Sequence, residues 1–377
     1  MQNPDAIVIG AGIVGASVAL SLTNAGFKVL VIDRGAVSSG TTGAGEGNIL
    51  VSDKDPGPEL TLALRSRDLW FEMQEDVGDA FELEAKGGVV VARNDDGPLM
   101  KLSLEQSLHG VTSQKLDHAL LHELEPYLDQ RFQSGVFYPQ DAQCQPMLAA
   151  AHVIRAVVRR GGAFISQAKV TKIHVRDGAV TGIETSQGNF AAPIIVNATG
   201  TWAGELAQMA GSHLPIAPRK GFILVTEPTK KYVFHKVYDS DYVANVASSD
   251  ADLQTSTVVE GTRAGTILIG ASRERVGFDG SMNYEILRRL AAQATSLFPV
   301  LRDVQLLRAY RGFRPYAPDH LPVIGEDAKV KGLWHSAGHE GAGIGLAPGS
   351  AALITDAILG REQFMDPSPF SPARFEK

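Results

Sequence analysis

A chain of 377 residues with a formal net charge of −7 has no general attraction for nucleic acid or an anionic membrane, so an anionic substrate must be held by local Arg or Lys. The composition, 44% hydrophobic and 20% charged, is that of a soluble globular protein, and the length suits two domains or one elaborated domain. The single cysteine, Cys144, excludes an internal disulfide and any cysteine-built zinc or iron–sulfur site, and a cytoplasmic location is the expectation.

Ala6-Ile-Val-Ile is a short apolar run of strand length. It leads into Gly10-Ala-Gly-Ile-Val-Gly, then into Val14, Val18 and Leu22 at helical spacing, with Gly26 where a helix would stop. Lys28 to Asp33 reads as a second strand. This predicts a βαβ cradle for a dinucleotide: Gly10 for the tight turn, Gly12 for close approach of a pyrophosphate and Gly15 for helix–strand packing. Ile13 and Val14 open the helix beside the phosphates. Asp33 stands where a carboxylate accepts hydrogen bonds from an adenosine ribose, which argues against NADP and leaves FAD and NAD open. Met1 to Asp5 carries no basic residue, so no secretory signal is expected, and no run is long enough to span a bilayer.

From Arg34 to Leu50 small and hydroxyl residues dominate. Such a loop can lay backbone N–H groups and the Thr41 and Thr42 hydroxyls against phosphate, a flexible linker being the competing reading. Beyond Arg34, Glu46 and Asn48 are its polar side chains with reach, and they are candidates to face a ligand.

Glu59 to Val77 is a predicted amphipathic helix, Gly87 to Ala92 a strand, and Leu99 to Leu128 a set of short helices. Gly135-Val-Phe-Tyr-Pro is a short strand and Leu148 to Arg160 a helix stopped by Gly161-Gly162. Strands follow at Ala163 to Ile165 and Val170 to Val175, with a hairpin at Asp177-Gly178. Ile194 to Val196 delivers Asn197-Ala-Thr-Gly-Thr-Trp to a carboxyl end, where open α/β sheets collect ligands. Phe222 to Gly270 reads as an antiparallel sheet, with a hairpin around Ala264-Gly265. Tyr284 to Leu297 is a helix, and the proline-rich tail from Asp366 to Pro372 is expected to lie extended.

The last third carries Gly312-Phe-Arg-Pro-Tyr-Ala-Pro-Asp and then Gly338-His-Glu-Gly-Ala-Gly-Ile-Gly, a second strand and glycine loop followed by a helix from about Gly349 to Leu359. These two motifs, with Gly10-x-Gly-x-x-Gly and Asn197-Ala-Thr-Gly-x-Trp, resemble the FAD-dependent oxidoreductases of the D-amino-acid oxidase, glycine oxidase and sarcosine oxidase family. The resemblance covers nearly the whole chain. Within the family it is most similar to the flavin-bearing beta subunits of opine dehydrogenases and D-hydroxyproline dehydrogenases.

That resemblance implies an α/β architecture in two interleaved parts. An FAD-binding domain on a central parallel sheet takes residues 1–83, 145–221 and 306–377, and a substrate domain on a mostly antiparallel sheet takes 84–144 and 222–305. Carried over by motif, Arg34, Thr41, Thr42, Gly45, Glu46, Gly47 and Asn48 line the pyrophosphate and flavin. Val170 holds the adenine through its backbone, Gly200 and Trp202 sit near the phosphates, and Gly341, Ala342, Gly343 and Ile344 touch the flavin ring. Arg314 corresponds to the arginine that grips the substrate carboxylate. Two departures matter. Asp33 replaces the more usual glutamate, and no cysteine lies in the C-terminal third, so FAD is expected to be noncovalent.

The implied activity is a dehydrogenase oxidising the C–N bond of a secondary amino acid, within a hetero-oligomer. Its rivals are an oxygen-reducing amino-acid oxidase and a flavin-holding scaffold subunit. Arg314, as a planar donor fork, suits a carboxylate, a structural ion pair with Asp319 being the alternative and Arg311 a competitor. His339 and Tyr242 are candidate substrate contacts, no acid or base is assigned, and no metal is expected. Glu46 would receive the cationic end of an amino acid if it faces the flavin, and do nothing if it faces solvent.

Overall fold

The computed structural model describes residues 3–93, 95–240 and 252–376, so Tyr242 lies outside the described residues. Ala6–Ile9 and Val29–Ile32 are fully buried strands paired in parallel, Ala6 opposite Val29, and the helix Ile13–Asn24 connects them. Gly10 has φ +114°, and a Cβ there would collide with the Ala198 carbonyl oxygen. A Cβ at Gly15 would collide with the Gly10 oxygen, so neither position accepts a side chain.

This unit sits in a six-stranded sheet ordered Val323–Glu326, Leu333–Ala337, Ile194–Asn197, Ala6–Ile9, Val29–Ile32, Ala163–Ile165. All neighbours are parallel except the first pair. Three glycine-bearing motifs from distant parts of the chain therefore emerge side by side at the carboxyl ends of adjacent strands, where such sheets bind ligands. A three-stranded antiparallel sheet, Val170–Arg176, Ala179–Thr185 and Gly188–Ala191, carries the expected turn, with Asp177 and Gly178 both at positive φ.

The second large sheet has eight strands, ordered Leu306–Tyr316, Ala217–Thr226, Ile267–Arg273, Gln254–Gly261, Lys236–Asp239, Gly88–Val91, Gly135–Tyr138, Gln114–Leu116. It is antiparallel apart from the pairing of Lys236–Asp239 with Gly88–Val91. The helix Tyr284–Leu297 covers it with Ile286, Leu290, Ala294 and Leu297. The fold is thus mixed α/β, and the strand carrying Arg314 belongs to the eight-stranded sheet.

Three expectations are corrected. The stretch from Leu99 to Leu128 holds two helices, Gly97–Ser107 and His118–Leu124, but also the edge strand Gln114–Leu116, whose three residues are too few to show a period. The last helix starts at Gly343, not Gly349, and runs through Pro348. Proline removes the N–H that would bond the Ile344 carbonyl, and the Trp70 indole N–H supplies it instead at 3.0 Å. Ser66 Oγ donates to the Gly345 carbonyl at 2.7 Å and accepts from Gly349 N–H at 2.9 Å. The tail is not extended: Ser368–Phe370 and Pro372–Phe375 form tight turns around the fully buried Phe370.

Candidate active site

A cavity of about 510 Å³ runs from the first glycine turn to the strand carrying Arg314. At one end lie Gly10, Gly12, Ile13, Val14, Asp33, Arg34 and Val170. Asp33 accepts hydrogen bonds from Ala11 N–H and Gly35 N–H, each at 2.7 Å, one to each carboxylate oxygen, which fixes the carboxylate at the cavity edge. The Arg34 guanidinium lies 3.8 Å over the Trp202 ring, and Phe278 stacks on Trp202 at 5.4 Å.

Thr41, Thr42, Gly45, Glu46, Asn48 and Gly200 line the middle. The two hydroxyls already have partners in the chain. Thr42 Oγ1 accepts from Ile13 N–H at 3.1 Å, and Thr41 Oγ1 donates to the Phe313 carbonyl at 2.7 Å, lacing the loop to helix and sheet. Gly15, Gly47 and Ala342 do not line the cavity. Gly47 pairs with buried Cys144, whose N–H donates to it at 2.9 Å, and Ala342 N–H donates to His339 O.

Arg314, His339, Gly341, Gly343 and Ile344 complete the wall, Gly341 beside Arg314, Gly343 beside Val14 and Ile344 beside Gly45. Arg314 Nη1 donates to the Ser272 carbonyl at 2.8 Å. Its proposed rival partner is engaged elsewhere: Asp319 is held by Arg374 at 2.6 Å. Arg311 is tied to the Gly280 carbonyl and does not line the cavity.

His339 is 3% exposed, and burial pushes its imidazole down to about 3, so it is neutral. Its Nε2 lies 2.9 Å from Ser350 Oγ, and that hydroxyl is donated to Leu346 O, so Nε2 carries the proton. Glu340, at φ +46°, faces Arg219 at 3.3 Å and His320 at 3.0 Å. His335 is fully buried and bonded to Asp327 at 2.9 Å.

Sequence reasoning missed Gly221 and Ile223, which form part of the cavity wall, and the buried ions behind it. Lys236, 1% exposed, lies 3.0 Å from Glu260 and 3.6 Å from Glu46, and bonds to Asn48 Oδ1. Burial, together with the Glu46 and Glu260 charges, raises the Tyr310 phenol well above its usual range. No pattern in the strand-rich middle separates these charges from a solvated face.

Strand, glycine turn and helix at one end, glycine backbone along the wall and an arginine at the other end define the class: a dinucleotide-dependent oxidoreductase whose elongated site fits FAD. Residues 5–357 match the family model described as DAO, FAD dependent oxidoreductase, and the chain belongs to that family of FAD-dependent enzymes acting on amino acids and amines. It is 28% identical to a glycine oxidase of Pseudomonas aeruginosa, over 97% of this chain and 98% of that protein. Among solved structures it superposes on glycine oxidase from Geobacillus kaustophilus with a TM-score of 0.90, at 24% identity and covering 100% of both chains. L-proline dehydrogenase from P. horikoshii also gives a TM-score of 0.90, at 25% identity, with 100% of this chain and 98% of that one covered. Among the described residues no helix is long and apolar enough to cross a membrane.

Proposed function

We propose that this enzyme is a dehydrogenase that oxidises the C–N bond of a secondary amino acid: an opine, proline or D-hydroxyproline, or an N-methyl amino acid. The observation that carries this reading is Arg314, held by Ser272 at the end of the cavity beside Gly341 while Asp319 is engaged by Arg374. A planar guanidinium binds a carboxylate bidentately and fixes the adjacent carbon. FAD, when bound, supplies the hydride acceptor at its N5. The chain's residues supply orientation and exclusion of water. Asp33 and Val170 would hold the adenosine, the backbone from Gly10 to Gly15 and from Thr41 to Asn48 the diphosphate, and Gly341 to Ile344 the flavin ring, without a covalent bond. His339, neutral and spending its Nε2 proton on Ser350, is a wall contact rather than a base. Tyr242 remains a proposed substrate contact.

The resemblance to L-proline dehydrogenase supports the secondary amine, and the resemblance to beta subunits supports further subunits as electron acceptors in the cytoplasm. The likeness to a glycine oxidase favours a second reading, in which oxygen takes the electrons. Anaerobic mixing of the FAD-loaded chain with prolines, opines and N-methyl amino acids separates them. Bleaching of the flavin by a secondary amino acid, with slow reoxidation in air, is the expected result; fast reoxidation selects the oxidase, and no bleaching defeats the assignment of catalysis to this chain. Arg314→Met should retain FAD while the KM for carboxylated substrates rises at least 100-fold. Unchanged kinetics would remove Arg314 from the site.

A further inference from the structure

Glu46 is 7% exposed and forms part of the cavity wall. Its two oxygens differ. Oε2 accepts from Asn48 Nδ2 at 3.2 Å and lies 3.6 Å from Lys236 Nζ, whereas Oε1 is buried without a hydrogen-bond partner. Lys236 is shared with Glu260, at 3.0 Å. The nearby Lys86 also interacts with the Glu260 and Lys236 charges, its Nζ bonded to the Gly261 carbonyl, and the Tyr310 hydroxyl donates to the Gly45 carbonyl at 3.3 Å. A buried carboxylate oxygen left without a donor is costly and calls for a partner.

The sheet places that oxygen with respect to Arg314. Gly221 and Ile223 lie two residues apart on one face of Ala217–Thr226, and both line the cavity. Arg314 Nη1 fills the space that a Cβ at Gly221 would need. Glu46 Oε1 fills the equivalent space at Gly270 on the neighbouring strand, 2.5 Å from the position of such a Cβ, with Ile223 Cδ1 3.1 Å from the same point. The guanidinium and the carboxylate thus lie against two neighbouring strands, on a diagonal from Gly221 to Gly270. An α-amino acid carries its nitrogen and carboxylate on one carbon and spans that diagonal with a charge-assisted hydrogen bond at each end.

We propose that Glu46 binds the substrate nitrogen, so that the site selects zwitterionic amino acids over simple carboxylates. This rests on the amino-acid reading of Arg314 given above. It supplies a donor to the Glu46 oxygen that the chain leaves without one, and it explains why two adjacent strands carry glycine where the two charges lie against them.

The test titrates the FAD-loaded protein and follows the flavin absorbance. One ligand is 2-aminoisobutyrate, whose α-carbon has no hydrogen to lose, and the other is pivalate, of similar shape without the nitrogen. The wild type should bind 2-aminoisobutyrate at least tenfold more tightly than pivalate. Glu46→Gln should lose that preference and keep the pivalate affinity. A wild type without preference, or a variant that keeps it, overturns the proposal while pivalate binding leaves the Arg314 reading intact. If neither ligand perturbs the flavin, both readings fall. The wild-type comparison stands even if Glu46→Gln does not fold.

Discussion

Lys236 shows how much a single buried charge decides. It is the counter-ion of both Glu46 and Glu260 at 1% exposure, so its removal leaves one carboxylate in the cavity wall and one beside it with that neutralising charge lost. Removing one partner of a buried ionic group costs about 3–5 kcal/mol, because the remaining charge stays desolvated. Lys236→Met should therefore lower the unfolding free energy by about that amount in a denaturant melt, and adding Glu260→Gln should restore part of it. A melt within 1 kcal/mol of wild type, a roughly null effect on this scale, would show that water reaches the cluster. At this scale the sequence was legible where a residue's role follows from its local motif. Asp33 ends a strand after a glycine turn, and Arg314 sits in a proline- and aromatic-flanked motif. It was illegible at Lys236 and Glu260, which acquire a role only when the strands Lys236–Asp239 and Gln254–Gly261 pair behind the loop carrying Glu46.

Among elements, the helix Gly343–Leu359 was half legible. Its existence follows from the apolar run after the last glycine loop, but Pro348 makes Gly349 look like its start. The true start depends on the helix Pro58–Val77, which provides the Trp70 and Ser66 groups that stand in for the missing backbone bonds. Single-chain periodicity cannot show that two helices distant in sequence share hydrogen bonds. The dependence predicts that Trp70→Phe, which keeps most of the apolar volume and loses only the indole donor, orphans the buried Ile344 carbonyl at a cost of about 1–3 kcal/mol. Because Ile344 lines the cavity, FAD dissociation should accelerate in the same variant. Equal FAD off-rates in the variant and wild type would break the link between this helix's first turn and the cofactor.

Across the whole molecule, the meeting of N-terminal, middle and C-terminal motifs was readable because each is a strand ending in glycine, and parallel sheets gather such ends. The partition between the two sheets was less readable, since Leu306–Tyr316 leaves the eight-stranded sheet just before the chain re-enters the six-stranded one. Two buried groups make the acid response of this assembly testable. Asp141 accepts from Val51 and Ser52 N–H groups and from Ser52 Oγ, yet burial outweighs these bonds and pushes its carboxyl up from 3.8 to about 7. Between those values the folded chain holds more protons at this site than the unfolded chain, so its contribution is present below pH 3.8 and is lost as pH rises towards 7. His339, pushed from 6.5 down to about 3, works in the opposite sense: its contribution is present above pH 6.5 and is lost as pH falls through that window. Between pH 3.8 and 6.5 the two slopes oppose each other, each about 1.4 kcal/mol per pH unit at most. Asp141→Asn keeps an oxygen for the Val51 and Ser52 N–H groups and removes one slope. Relative to wild type the variant should gain stability as pH rises from 4 to 7, by the order of 2–4 kcal/mol in urea melts, leaving its own curve falling towards acid as His339 dictates. A difference between variant and wild type that stays flat over that range would mean that Asp141 is ionised throughout it, with its three donors outweighing burial.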